Sequence, residues 1–194
     1  MSLTLVTAPT AEPLTLAEAK AHLRITDNNE DGFIADCIKA GREYAETVTK
    51  RALMTQTWDW TFDDFPLDRT KLEVPKPPLS SVTSIKYYDT NGTQQTWSST
   101  NYLTDTPTHG LGIIGLAYNA VWPCVQPRAF ACTIRFVCGY SSAANVPYRV
   151  KRAIAMLTAH QWANREPLGP VAELGPLAMT VDELLRSGGW GFHA

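Results

Sequence analysis

Arg51-Ala-Leu-Met-Thr-Gln-Thr-Trp-Asp-Trp-Thr-Phe62 is the stretch in which the sequence changes period. Leading into it, apolar or small side chains recur at Phe33, Ile34, Cys37, Ile38, Gly41, Tyr44, Ala45, Val48 and, at its start, Ala52, the three-and-four spacing of one helical face. Within it, Trp58, Trp60 and Phe62 alternate with Asp59 and Thr61, the two-residue repeat of a strand with one buried face. A long helix beginning near residue 30 therefore runs almost directly into β structure.

Working upstream, Thr15 and Glu18 stand three apart ahead of Ala19, Ala21 and Leu23, a capping box that predicts a short helix over 16–25. The polar run at 27–31 breaks it from the longer helix. Downstream, short β-branched and aromatic runs at 72–74, 82–88, 94–97, 102–103, 113–118 and 131–140 predict further strands, with Asn91-Gly92 as a hairpin turn between two of them. Six or seven strands with no helical stretch between them make a small antiparallel sandwich or barrel. After Pro147 the period returns to that of a helix, with Val150, Ala153, Ile154, Leu157 and Trp162 on one stripe that ends near 165. A Gly- and Pro-rich loop over 168–176 follows, and Thr180 with Glu183 predicts a capping box for a short last helix. The fold class is α+β: a helical core made from both chain ends, with the β module inserted. Its boundaries fall at 1–53, 54–145 and 146–194.

Composition narrows the function classes. Of 194 residues, 44% are hydrophobic and 19% charged, and the formal charge is -2, which excludes generic disorder and argues against a surface built wholly to grip nucleic acid or anionic lipid. No stretch has the roughly 20 apolar residues of a membrane span, and the first 13 residues carry no Lys or Arg. Cys37, Cys124, Cys132 and Cys138 form no CxxC pair, so they read as small buried apolar residues rather than a zinc site or disulfide framework.

No catalytic motif survives inspection. Gly110-Leu-Gly-Ile-Ile-Gly115 has a loose glycine spacing but runs from a loop into a strand, the wrong context for a phosphate-binding turn. Asp63 and Asp64 are adjacent, and consecutive strand residues point to opposite faces. The histidines, His22, His109, His160 and His193, lie in four separate segments. The reading is of a non-enzyme with no cofactor and no metal. Two other classes stay open: a nucleic-acid-binding module, whose affinity would fall steeply with salt, and a small carbohydrate-binding or hydrolase domain with a site lined by Trp58, Trp60 or Trp97.

Charge gives one interaction signal. Residues 1–50 hold five basic and eight acidic side chains, whereas Arg149, Lys151, Arg152 and Arg165 sit in a stretch without an acid. These regions either pair within the monomer or leave a basic face for an acidic partner, and Arg149 and Arg152, three apart, share a face. The tail gives a second signal. Trp190 and Phe192, separated by Gly191 and preceded by Arg186, are residue types that anchor interfaces.

The order of motifs resembles a known family. Leu14-Thr-Leu-Ala-Glu-Ala-Lys-Ala-His-Leu23, the acidic break with Asp31, Ala40-Gly-Arg-Glu-Tyr-Ala-Glu46, Arg51 to Trp58, Phe65-Pro66, Pro78-Leu-Ser-Ser-Val-Thr-Ser-Ile-Lys-Tyr-Tyr-Asp89, Val146-Pro147, His160-Gln-Trp-Ala-Asn-Arg-Glu166 and Leu184-Leu-Arg186 are similar to head-tail connector, or adaptor, proteins of tailed bacteriophages and gene transfer agents. The chain resembles the longer subgroup, in which a β insertion follows the second helix. The resemblance implies a structural virion protein. Its subunits form a ring, usually of twelve, that docks under the portal protein, extends the DNA channel and receives a stopper or tail-completion protein, with DNA passing through without specific binding. It implies location at the head-tail interface of the virion after a soluble stage in the host cytoplasm. Arg186, Trp190 and Phe192 match by position the family's portal-engaging end, and Arg149 and Arg152 are candidates for a subunit or portal contact.

Overall fold

A computed structural model describes residues 1–66, 70–108, 110–165 and 175–186, and the chain divides into two compact units. One comprises Met1–Pro9 and Thr55–Tyr140, the other Thr10–Met54 and Ser141–Ala194.

Among the described residues the first unit contains eight strands: β1 (Ser2–Thr7), β2 (Gln56–Phe62), β3 (Lys71–Val74), β4 (Leu79–Tyr88), β5 (Gln94–Trp97), β6 (Tyr102–Asp105), β7 (Gly112–Leu116) and β8 (Cys132–Cys138). They form two sheets, ordered β1-β2-β8-β4-β5 and β3-β7-β6, with every pairing antiparallel. Cys132, Ile134, Phe136 and Cys138 are buried along the central β8, with Thr133, Arg135 and Val137 on the other face. Ile134 lies between Trp60 and Ile85 in register, so the apolar faces of three strands coincide. Phe65 stacks on Trp122 at 5.2 Å, and Trp122 meets Trp97 at 5.1 Å, extending the core into an aromatic cluster. Gly112 is required by packing: a Cβ there would lie 2.3 Å from the Leu79 Cβ. The expected Asn-Gly hairpin forms between β4 and β5, with Gly92 at φ 80° and the Asp89 carboxylate accepting the N–H groups of Asn91 and Thr93.

Two expectations need correction here. The segment 1–53 is not wholly helical, because Ser2-Leu-Thr-Leu-Val-Thr7 is an edge strand on β2 and Met1–Pro9 belongs to the β unit. Its β-branched residues and alternation suit a strand, and Pro9 and Pro13 separate it from the first helix. Of the two forms expected, sandwich or barrel, the strands make the sandwich, divided into two sheets. Of the four cysteines, Cys37, Cys132 and Cys138 are buried, but Cys124 is exposed on the loop between β7 and β8.

The second unit holds α1 (Leu16–Leu23), α2 (Asp31–Thr49), α3 (Tyr148–Ala163) and α4 (Gly175–Arg186). The capping box on α1 is formed as expected: the Glu18 N–H donates to Thr15 Oγ1 and the Thr15 N–H to Glu18 Oε2. α2 buries Ile34, Cys37, Ile38, Gly41 and Ala45, and α3 buries Val150, Ala153, Ile154 and Thr158. Gly41 marks their closest approach, since a Cβ there would stand 3.3 Å from Ile154 Cγ2. α4 starts at Gly175, five residues before the expected cap at Thr180, because proline is accommodated in a first helical turn and Pro176 occupies it. None of the helices among the described residues is long and apolar enough to cross a membrane.

Candidate interaction surfaces

The opposite charges of the two helical regions are partly paired within the unit. Lys151 Nζ donates to Glu18 Oε1 at 2.9 Å, joining α3 to α1, and Arg165 binds Glu30, joining the end of α3 to the start of α2. Trp162 Nε1 donates to the other Glu30 oxygen at 2.6 Å, a clamp that sequence reasoning missed because Trp162 lay on the apolar stripe. The Thr15 backbone N–H and then Lys151 hold the Glu18 carboxyl down to about 2. The Arg165 guanidinium, followed by the Trp162 indole N–H, lowers that of Glu30.

The sequence-singled arginines then separate. Arg149 is half-buried, whereas Arg152, one turn further along α3, is exposed without an ion pair among the described residues, beside the exposed ring of Tyr148. Arg186 is at the end of α4, 3.8 Å from Asp182, whose carboxylate also accepts the Tyr44 hydroxyl of α2 at 2.9 Å. That hydrogen bond raises the Tyr44 pKa. Val181 and Leu185 are buried, so one face of α4 is packed and the face with Arg186 is outward. Trp190 and Phe192 lie outside the described residues, as do His109 and His193.

The residues of the alternative readings take structural places. Trp60 and Trp97 are core residues rather than a ligand platform, and Trp58 is half-buried under Lys76, whose ammonium sits 4.7 Å from the ring centroid. Asp63 accepts the Phe130 N–H at 2.8 Å, so it clamps a loop. Gly112 and Gly115 are in β7, away from any helix start.

Two features of the β unit were not read from the sequence. Tyr118, Val121 and Phe130 are exposed on the loop between β7 and β8, and Leu3, Leu5 and Val6 are exposed on the edge strand β1. Their composition marks them as apolar, but no periodicity shows that they stay uncovered.

Residues 13–107 match the family model described as the phage gp6-like head-tail connector protein. Over that stretch the chain is similar to the head-tail connector family. The connector segment spans α1, α2 and strands β2 to β6. Head-tail connectors are structural proteins of the virion. The connector fold extends over nearly the whole chain. A structure titled as the neck of an empty gene transfer agent particle, computed with C6 symmetry, is 22% identical with a TM-score of 0.75, covering 96% of this chain and 95% of that one. A chain from the virion of a native gene transfer agent particle is 21% identical with a TM-score of 0.75, covering 98% and 100%. One from the neck of a native particle, computed with C12 symmetry, is 20% identical with a TM-score of 0.73, covering 96% and 95%. No curated protein sequence matches.

Proposed function

We propose that this chain is the connector subunit of a phage-like particle, forming a ring that joins the portal of the head to the tail and continues the DNA channel without catalysis. The match of residues 13–107 to the connector family carries the reading. The likeness in fold to neck proteins of gene transfer agents supports it over the rest of the chain. A ring wall repeats one heterologous contact, so every subunit needs two different faces that fit each other. With Lys151 and Arg165 already engaged inside the unit, Arg152 with Tyr148 is the basic, uncovered part of α3 that suits an acidic face of the portal or of a neighbouring subunit, with Arg149 beside it. Arg186 and the tail that follows, with Trp190 and Phe192, supply a second contact, to the portal.

Native mass spectrometry of the protein alone and mixed with its portal, with image class averages of any large species, tests the reading. Rings of about a dozen subunits, free or on the portal, are expected. A strict monomer that ignores the portal at micromolar concentration would discard it. Exchanging Arg149 and Arg152 for Glu is expected to weaken ring closure or portal binding, and full retention of both would remove the basic face from the assignment.

A further inference from the structure

The loop over 117–131 has no strand or helix of its own, yet it is held firmly. Trp122 anchors it in the aromatic cluster, the Gln126 N–H donates to the Tyr88 carbonyl at 2.9 Å, and Asp63 takes the Phe130 N–H. Asn119 and Phe130 both stand at φ 58°, a left-handed conformation that an aromatic residue adopts only when its surroundings impose it. This fixed frame presents apolar groups to solvent: Tyr118 is 93% exposed, Val121 77% and Phe130 55%. A long loop ordered at this cost, and carrying uncovered apolar side chains, has the character of a pre-organised contact surface.

The same unit contains an apolar hollow. Between the edge strand β1 and β3 runs a groove of about 380 Å³, lined by Met1, Leu3, Trp60, Val74 and Leu111, with the exposed Glu73 on its rim. Leu3 lies beside Trp60 in register, and among the described residues no strand of the smaller sheet pairs beyond β3 to cover it. The loop's one charged residue is Arg128, exposed and seated 4.2 Å over the Tyr88 ring, and the groove holds the exposed Glu73 carboxylate among its lining, so an arginine on the one surface has a carboxylate to meet on the other. An apolar projection and an apolar recess at different places on one unit are the two halves of a head-to-tail contact.

We propose that the 117–131 loop of one copy seats in the β1–β3 groove of the next, a subunit contact in the β unit that rests on the ring reading given above. Two variants test it, each changing exposed or rim positions: Tyr118→Asp with Val121→Asp removes the projection, and Leu3→Asp with Glu73→Arg spoils the recess. A third, Glu73→Arg alone, guards against a folding failure, since that side chain is exposed and has no ion pair among the described residues. Each is expected to keep the wild-type circular dichroism spectrum and to associate at least about tenfold more weakly where the wild type forms rings, alone or on its portal. An equimolar mixture of loop and groove variants is expected to give a pair and nothing larger, because one intact loop then meets one intact groove. Rings from both variants at wild-type concentrations would overturn this contact and leave the connector reading standing. Folded, monomeric variants that fail to pair would overturn the partnership of loop with groove. A wild type that makes no ring, free or on its portal, would overturn the connector reading and this contact together.

Discussion

The carboxylate of Glu46 accepts the backbone N–H of Leu53 at 2.8 Å, seven residues along the chain, while its second oxygen takes the Arg42 guanidinium at 3.1 Å. Arg42 also reaches Glu12 at 2.8 Å, ahead of α1. This buried group ties the exit of α2, just beyond the left-handed Lys50, to the segment that enters the helical unit. Glu46→Ala is expected to cost about 3 kcal/mol, since it leaves a buried arginine and a buried N–H short of a partner. Glu46→Gln should cost less by retaining a side-chain acceptor. Thermal unfolding of both variants checks the order.

Asp59 and Arg135 form the contrasting case. They face each other across β2 and β8 in a two-pronged pair, at 2.8 and 2.7 Å, on the outer face of the large sheet. Water reaches this pair, so Asp59→Ala is expected to cost under about 1 kcal/mol. A loss as large as that of Glu46→Ala in the same assay would contradict the assignment.

Gly41 tests the approach of α2 to α3. Exchange for Leu places a branched side chain where a single Cβ is already 3.3 Å from Ile154, and overpacking of this kind costs about 1–3 kcal/mol. The far-ultraviolet spectrum should persist while the melting temperature falls.

Acid should weaken the helical unit through Glu18 and Glu30. Both carboxyls titrate lower in the folded chain than the ordinary 4.5, Glu18 at about 2, so their contribution is complete above pH 4.5 and disappears as the pH falls toward 2. Solvent screening keeps the effect small, because Glu18 is nearly half exposed. Melting curves between pH 6 and pH 2.5 should converge for wild type and Glu18→Gln at the acid end and separate above pH 4.5.

Trp122→Ala removes the anchor of the loop between β7 and β8. Truncating a buried tryptophan costs about 3–5 kcal/mol, and the near-ultraviolet signal of the stacked Phe65, Trp97 and Trp122 rings should diminish with it. Faster proteolysis within residues 117–131 is the expected companion.

The parts of this fold that were legible in the sequence are those set by neighbours along the chain. The Thr15–Glu18 cap, the face of α2, the alternation at Trp58, Trp60 and Phe62, and the Asn91-Gly92 turn each depend on residues within a few positions, and each formed. β1 was missed because a strand on its own has no signature beyond alternation, and its partner lies more than fifty residues away. The start of α4 was misplaced because a plausible cap at Thr180 outweighed a proline that a first turn tolerates. The basic stripe could be counted but not apportioned. That Lys151 and Arg165 meet Glu18 and Glu30 while Arg152 meets no acid among the described residues is a property of how the helices pack. Exposure at Tyr118, Val121 and Phe130 is equally a property of what fails to cover them.

The interleaving of the two units along the chain bears on how the protein is made. β1 leaves the ribosome first but must wait for β2, and β2 in turn needs β8, whose last residue is Cys138. α1 and α2 emerge together, yet their buried faces lack α3 until residues 148–163 appear. The β unit can close only once Cys138 has emerged, and the helical unit only later, once α3 has followed. A nascent chain of some 130 residues therefore carries an open sheet edge and an uncovered helical face at the same time, the interval in which it depends most on protection from aggregation.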